Sequence, residues 1–248
     1  MPEGPSIVIL REEAAHFAGK KVVRASGNTK LIDPQRMVGE KIVALRSHGK
    51  QFLVEFRGFA LRVHFMLFGK YLIDARRETG TPRLSIGFNQ GEINFYACSV
   101  RYVEGDLDKL YDWSSDVMSD RWNPRKARAK LKQQPATLAC DALLDQDVFA
   151  GAGNIIKNEV LYRIRVHPCS RIGKLPARKL GELVKQARQY SFDFYEWKKR
   201  YVLRKHWCVH AKTICPRCQI RLRYAKSLGK KRRRAFFCGK CQVRYTSP

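Results

Sequence analysis

Residues 143–168 read LLDQDVFAGAGNIIKNEVLYRIRVHP, and the organisation of the chain can be worked outward from them. An apolar helical turn runs into Gly151-Ala152-Gly153, and Asn154 then opens a second helix. Ile155, Ile156, Val160, Leu161 and Ile164 share one face of that helix, at the spacing of a buried stripe. Lys157, Arg163 and Arg165 are left largely for solvent or for phosphate. Glycines ahead of a helix let an anion approach free backbone N–H groups, and the helix dipole favours negative charge there. Asn154 can cap the helix or donate its side-chain amide to the same anion. Taken alone, the segment fits a packed helical hairpin with a capping asparagine equally well, so its neighbours must decide.

Downstream lie two Cys-x-x-Cys pairs, CPRC at 215–218 and CGKC at 238–241, separated by a basic, strand-like segment. Cys215, Cys218, Cys238 and Cys241 supply four thiolates suited to one tetrahedral Zn2+. A four-thiolate site leaves no open position, so this metal would be structural. Disulfides or a redox dithiol are the alternatives, and the lack of a visible secretory signal weighs against them. Cys98, Cys140, Cys169 and Cys208 are scattered and read as ordinary small side chains.

Upstream the pattern changes. Ile7, Leu10, Ala14 and Phe17 form a helical stripe over Ser6 to Phe17, with Pro5 suited to a first helical position and Gly19 just past the end. From Val22 to about Val103 come short alternating runs separated by glycine-containing turns, which predict a β-sandwich or barrel. Pro124 can start the helical part. The expected class is α+β: an N-terminal β-rich domain over 1–120, a helical domain over 124–210 and a zinc ribbon over 211–248.

Charge narrows the function. The 248 residues hold 49 Lys+Arg against 22 Asp+Glu, a formal net charge of +27, so a polyanion is the expected partner and nucleic acid the first choice. Basic residues are spread along the whole chain, which argues against a membrane-surface patch, and no apolar stretch approaches the roughly 20 residues of a membrane span. The chain reads as soluble and intracellular. No acidic cluster suited to a metal-dependent nuclease stands out.

The N-terminus, MPEGP, carries a chemical signal of its own. Proline is small enough for the methionine before it to be trimmed, and the mature chain would begin with a secondary amine. An α-amino group has a pKa of roughly 8 against roughly 10.4 for lysine, so near neutral pH far more of it is unprotonated and nucleophilic.

Together these pieces resemble one family. The N-terminal PEGP, the HGK at 48–50, the DQ…AGAGNIIKNEVL segment and the two cysteine knuckles, with RRAFFC leading into the last, follow in the order found in formamidopyrimidine-DNA glycosylase and endonuclease VIII (Fpg/Nei) enzymes. The resemblance covers nearly the whole chain. It implies an N-terminal β-sandwich, a helix-two-turn-helix motif and a C-terminal zinc finger on one monomer, bound to double-stranded DNA that holds a damaged base or abasic site. The implied chemistry is that of a DNA glycosylase and AP lyase. Pro2 matches the catalytic nucleophile and Glu3 the carboxylate that handles protons at the sugar. Lys50 matches a phosphate-binding lysine, and Asn154 the phosphate-binding asparagine of the helix-two-turn-helix. Arg233 matches the zinc-finger arginine that grips the lesion's phosphates, with Arg232 and Arg234 flanking it. Glu159 has a counterpart beside the lesion pocket, and His64 one near the DNA backbone. A non-catalytic zinc-ribbon nucleic-acid-binding protein would explain the charge and the knuckles, but not Pro2-Glu3 combined with Lys50.

Departures from the family pattern bear on substrate. The branch acting on oxidised purines such as 8-oxoguanine fills the gap left by a flipped base with a methionine and a second loop like DPRRFG, which is missing here. Met66, Leu67 and Phe68 stand where the endonuclease VIII branch has three consecutive wedge residues, which implies a preference for oxidised pyrimidines. Ser6 replaces a glutamate common to both branches. Before the knuckles, where the family often has a phosphate-binding tyrosine, His210 is the nearest candidate.

Overall fold

A proline in the first turn of a helix costs no hydrogen bond, because N–H groups there have no intrahelical acceptor. In the computed structural model, which describes residues 2–246, Pro5 occupies that turn of α1 (Gly4–Glu13), with Glu3 as N-cap. The helix stops earlier than its stripe suggests. A 3-10 turn over Ala15–Phe17 follows it, and Gly19, at φ 80°, lets the chain turn away. Ile7, Leu10, Ala14 and Phe17 are all buried, as the stripe requires.

Contacts divide the chain into two units, one ending at Asp112 and the other beginning at Trp113. The first is built on a six-stranded antiparallel sheet of β1 (Arg24–Ser26), β2 (Ala44–His48), β3 (Gln51–Glu55), β4 (Phe59–Ile73), β5 (Leu84–Gly87) and β6 (Glu92–Glu104), in the order β1-β5-β6-β4-β3-β2. Its sandwich comes from one continuous sheet rather than two. The long strands β4 and β6 pair along most of their length: β2 and β3 extend the sheet beside one half of this ladder, β5 and β1 beside the other. Phe52 and Phe65 from one half meet Phe95 from the other at ring separations of 6.0 and 6.2 Å. All three belong to a core that also takes in the α1 stripe.

The fold-back requires an irregularity, and it lies between Phe65 and Lys70. Phe65 pairs with Cys98 and Lys70 with Tyr96, so Met66 to Gly69 bulge out opposite Ala97, which adopts φ 48°. A bulge inserts residues without dissolving the ladder and bends the strand. Strand β6 changes phase there, with Ile93 and Phe95 facing the core before Ala97, and Cys98 and Val100 after it. A Cβ on Gly69 would lie 2.6 Å from the Phe65 Cβ, so this turn needs glycine. The short α2 (Leu107–Leu110) ends the unit.

The second unit holds α3 (Pro124–Lys132), α4 (Ala139–Ala142), α5 (Asn154–Arg163) and α6 (Ala177–Lys199), then a hairpin of β7 (Arg223–Leu228) and β8 (Arg233–Phe237). On α6, Leu180, Leu183, Val184, Ala187, Tyr190 and Phe194 turn inward at helical spacing. Helix α5 is buried on nearly every side, packed against α4, α6 and β8. After the last cysteine the chain returns to the helices: Gln242 accepts from the Cys238 N–H and donates to the Val166 carbonyl, both at 2.8 Å. None of the helices among the described residues is long and apolar enough to cross a membrane.

Candidate nucleic-acid interface

In the first unit, Pro2 is half-buried and directly precedes Glu3, the N-cap of α1. Its nitrogen precedes the positive end of the α1 dipole, which works against an ammonium there, while the adjacent Glu3 carboxyl works for one. Glu3 is 0% exposed, its backbone extended and its carbonyl accepting the Ser6 N–H at 2.8 Å, while its carboxylate makes no capping bond to α1. Ser6 is buried in the same first turn.

Helix α1 packs on β2 and β3, whose two-residue connection is Gly49-Lys50. Gly49 has φ 56° and Lys50 does not share the positive φ, the pattern of a type II′ turn, which places glycine first. This turn fixes the half-buried Lys50 next to His64, since Gln51 and His64 are register partners. Burial, then the charges of Lys50 and Arg62, lower the His64 pKa, so the imidazole is neutral at pH 7 beside two cations. Met66, Leu67 and Phe68 crown the β4 bulge and are 55%, 49% and 80% exposed. Three consecutive apolar side chains in water are costly, and apolar runs are far more often core.

In the second unit, the first turn of α5 differs from expectation. Gly153 is the N-cap, and Asn154 is a buried first-turn residue whose side chain makes no cap. Its Oδ1 instead accepts from Lys157 Nζ at 2.7 Å, and the same ammonium donates to the Arg234 carbonyl at 2.7 Å. Lys157 was expected to face solvent or phosphate and is 1% exposed, turned into the protein. Arg163 is half-buried in an ion pair with Asp193 at 2.7 Å, while Arg165 is exposed as expected. Periodicity sorts residues between core and water, but a helix enclosed on all sides must satisfy its polar groups inside the protein.

Glu159 follows the same rule. It is 0% exposed, and its carboxylate accepts the N–H groups of Cys208, Val209 and His210 at 3.0, 2.9 and 2.7 Å. It thereby shapes the segment ahead of the knuckles. His210 Nδ1 lies 3.0 Å from Asn158 Nδ2, and its ring meets Trp207 and Phe236 edge-on. Burial, with the Lys157 and Arg234 charges, pulls the His210 pKa down to about 4, so the ring is neutral. Arg233 opens β8 and is half-buried; Arg232, at φ 48°, and Arg234 flank it exposed. The hairpin tip is held by Asp141 on α4, whose carboxylate accepts the N–H groups of Lys230 and Lys231 at 2.8 and 3.0 Å.

The ligand atoms of Cys215, Cys218, Cys238 and Cys241 all lie within 4.8 Å of one another. A tetrahedral zinc with bonds of about 2.3 Å would set its sulfurs about 3.8 Å apart, and Cys215 and Cys241 are 3.9 Å apart. Burial raises the Cys241 thiol to about 12, reinforced by the neighbouring sulfurs. At Cys215 burial is outweighed by N–H groups of Cys218 and Arg217, which bring it to about 6. A cation at the centre relieves this crowding, so the donor set fits a metal ion.

Sequence reasoning left Lys157 to solvent or phosphate and passed over Asn158 and Asp141. The first two carried a faint signal, three consecutive polar residues (Lys157-Asn158-Glu159) in an otherwise apolar helix; Asp141 carried none. The described residues also line a groove of about 740 Å³ between α3 and α6, with Trp122, Arg125, Arg128, Lys185 and Phe192 in its wall, and no expected site residue borders it.

Two family models match the chain, one described as the formamidopyrimidine-DNA glycosylase N-terminal domain over residues 1–101, the other as its H2TH domain over 114–190. Endonuclease 8-like 3 of Mus musculus is 32% identical over 202 residues, covering 78% of this chain and 33% of that protein. Formamidopyrimidine-DNA glycosylase of Carboxydothermus hydrogenoformans is 28% identical over 199 residues, covering 76% and 75%. The chain spans 33% to 43% of the length of the endonuclease 8-like 3 proteins it matches. Among solved structures, Lactococcus lactis formamidopyrimidine-DNA glycosylase, non-covalently bound to DNA containing an AP site, aligns with a TM-score of 0.84 at 21% identity over 97% of this chain and 99% of that one. A crystal structure of a viral DNA glycosylase aligns with the same TM-score at 18% identity, over 97% of this chain and 100% of that one. The solved structures bear on fold alone, whereas both matched models describe parts of one kind of enzyme, and by them the chain belongs to the formamidopyrimidine-DNA glycosylase/endonuclease VIII family of DNA glycosylases.

Proposed function

We propose that the protein is a bifunctional DNA glycosylase and AP lyase of base excision repair that removes oxidised bases, pyrimidines in preference, from double-stranded DNA. The observation that carries this reading is the N-terminus, where a prospective secondary amine at Pro2 adjoins the fully buried carboxyl of Glu3 at the head of α1.

The reaction begins with the target nucleotide flipped out of the duplex. With Met1 removed, the Pro2 nitrogen donates its lone pair to C1′ and the bond from C1′ to the base breaks, the base leaving with the electron pair. The amine loses its proton, the C1′–O4′ bond opens with Glu3 as proton donor to O4′, and an iminium joins Pro2 to C1′. That iminium acidifies C2′–H; a base takes the proton, and the C3′–O bond breaks to release the 3′ phosphate. A second elimination can free the 5′ phosphate. Lys50, Asn154 and Arg233 hold the phosphates, the arginine through its planar two-pronged donor. Cys215, Cys218, Cys238 and Cys241 would hold a zinc ion whose contribution would be structural alone, steadying the hairpin that carries Arg233. The pyrimidine preference rests on Met66-Leu67-Phe68, exposed together on one bulge.

Borohydride reduces such an iminium to a stable amine. It should cross-link the mature protein to abasic-site DNA, and Pro2→Gly or N-terminal acetylation should abolish the cross-link. Trapping that survives both changes refutes the nucleophile assignment. Single-turnover excision should favour 5-hydroxycytosine over 8-oxoguanine paired with cytosine; the reverse order rejects the pyrimidine preference and leaves the Pro2 chemistry standing.

A further inference from the structure

We propose that Lys157 is a positioning residue: it fixes the side-chain amide of Asn154 with its N–H edge free for a DNA phosphate, and ties that amide to the strand carrying Arg233. The inference rests on the reading of Asn154 and Arg233 as phosphate ligands.

The argument starts from what each group can do. An ammonium has three donors and no acceptor, whereas a carboxamide has one accepting and one donating end. Lys157 Nζ stands 2.7 Å from the Asn154 side chain, so the atom facing it must be the oxygen. The amide is thereby oriented: Oδ1 is engaged inside the protein, and Nδ2 must point elsewhere with its two N–H groups. A phosphate accepts and does not donate, so only this orientation lets Asn154 bind one. With a non-donor at position 157, the amide could turn over and present oxygen to oxygen.

The lysine sits three residues after Asn154, one turn along the same face of α5, and is 1% exposed. Burying an ammonium is expensive unless its donors are met, and a second donor goes to the Arg234 carbonyl at 2.7 Å. That carbonyl belongs to the residue after Arg233, in β8. One ammonium therefore sets the orientation of one proposed phosphate ligand and the backbone beside another, although 77 residues separate Lys157 from Arg234. Arg217 in the first knuckle and Asp141 beneath the hairpin tip also make ties between this segment and the helices, but by contacts away from Asn154.

Two roles must be told apart. A lysine that itself contacts phosphate contributes to counterion release, and its loss lowers the salt slope of binding by about one. A lysine that acts through a neutral amide does not. Affinity for a duplex containing a tetrahydrofuran abasic analogue should be measured by fluorescence anisotropy across a salt series. The proteins are wild type, Lys157→Met, Asn154→Ala and the double variant, each with its metal content verified. Each single variant should weaken binding about tenfold, the double variant no further, and the salt slope should stay at the wild-type value. Lys157→Gln, which keeps an N–H donor, should recover part of the loss, and Lys157→Ala, which also lacks a donor, serves in place of Lys157→Met should that variant not fold. Losses that multiply, a slope lowered by one, or a glutamine variant as weak as one with Lys157→Ala overturn the positioning role. Wild-type affinity in Asn154→Ala instead removes the underlying reading of the site.

Discussion

Replacing Glu159 tests how the segment ahead of the cysteine knuckles is held. Its carboxylate accepts three backbone N–H groups from Cys208, Val209 and His210 at 3.0, 2.9 and 2.7 Å, and the residue is completely buried. Hydrogen bonds to a charged group contribute about 1.5–3 kcal/mol each, and a buried N–H left without an acceptor costs about 1–3 kcal/mol. Some of the three N–H groups will find water once the side chain is cut back, so Glu159→Ala should cost roughly 4–6 kcal/mol of stability. That is a large part of the about 5–15 kcal/mol that holds a typical domain together. Glu159→Gln has a graded effect. One oxygen can still serve Val209 and His210, which share Oε1, but the new amide nitrogen confronts the Cys208 N–H donor to donor. Its cost should be roughly 2–3 kcal/mol. Urea unfolding, followed by tryptophan fluorescence and by release of bound metal, reads both changes. An alanine variant within about 0.5 kcal/mol of wild type, or alanine and glutamine variants of equal stability, would refute the reasoning.

Other outcomes follow from the same geometry. His210 and His167 are both lowered to about 4, burial being the first cause in each, against about 6.5 in an unfolded chain. Between these values the unfolded state binds more protons, so stability should be full above pH 6.5 and fall as the pH drops towards 4; His210→Asn should flatten the slope of urea midpoints over that range. Chelating the metal or making Cys238→Ser should weaken binding to abasic-site DNA and expose the 208–241 segment to protease while the first unit keeps its unfolding transition; unchanged affinity in the metal-free protein would count against the ribbon's role. Lys50→Ala should lower the salt slope of DNA binding by about one, and a slope equal to wild type would remove it from the phosphate ligands. Changing Met66, Leu67 and Phe68 together to serine should leave thermal stability within about 0.5 kcal/mol, because all three are exposed, while slowing base excision; a large drop in stability would mean the bulge packs more tightly than its exposure suggests.

How much of this was legible in the sequence depends on how local the cause is. The cysteine knuckles and the buried stripe of α1 are each specified within a few residues, and the four thiols and the stripe residues lie where the pattern placed them. The phase change of β6 was not legible, because an alanine at φ 48° leaves no mark in composition. Nor was the enclosure of α5. Lys157 and Glu159 look like surface residues until the 208–210 segment and β8 come from far along the chain to cover them. Asp141 is the extreme case, since its partners Lys230 and Lys231 follow it by 89 and 90 residues.

The bulge at 66–69 separates two kinds of constraint. Strands β4 and β6 stay paired on both sides of it, through Phe65 with Cys98 and Lys70 with Tyr96, while the side chains of Met66, Leu67 and Phe68 contribute nothing to the core. In a regular strand, adding or removing one residue would turn every later side chain to the opposite face. Here the extra length is already looped out, so the tip can be lengthened, shortened or rewritten while the facing of β4 is kept. Gly69, pressed against Phe65, marks where that freedom ends. The sheet thus works as a fixed handle with an exchangeable point, held by pairs on either side that do not draw on the side chains of the tip.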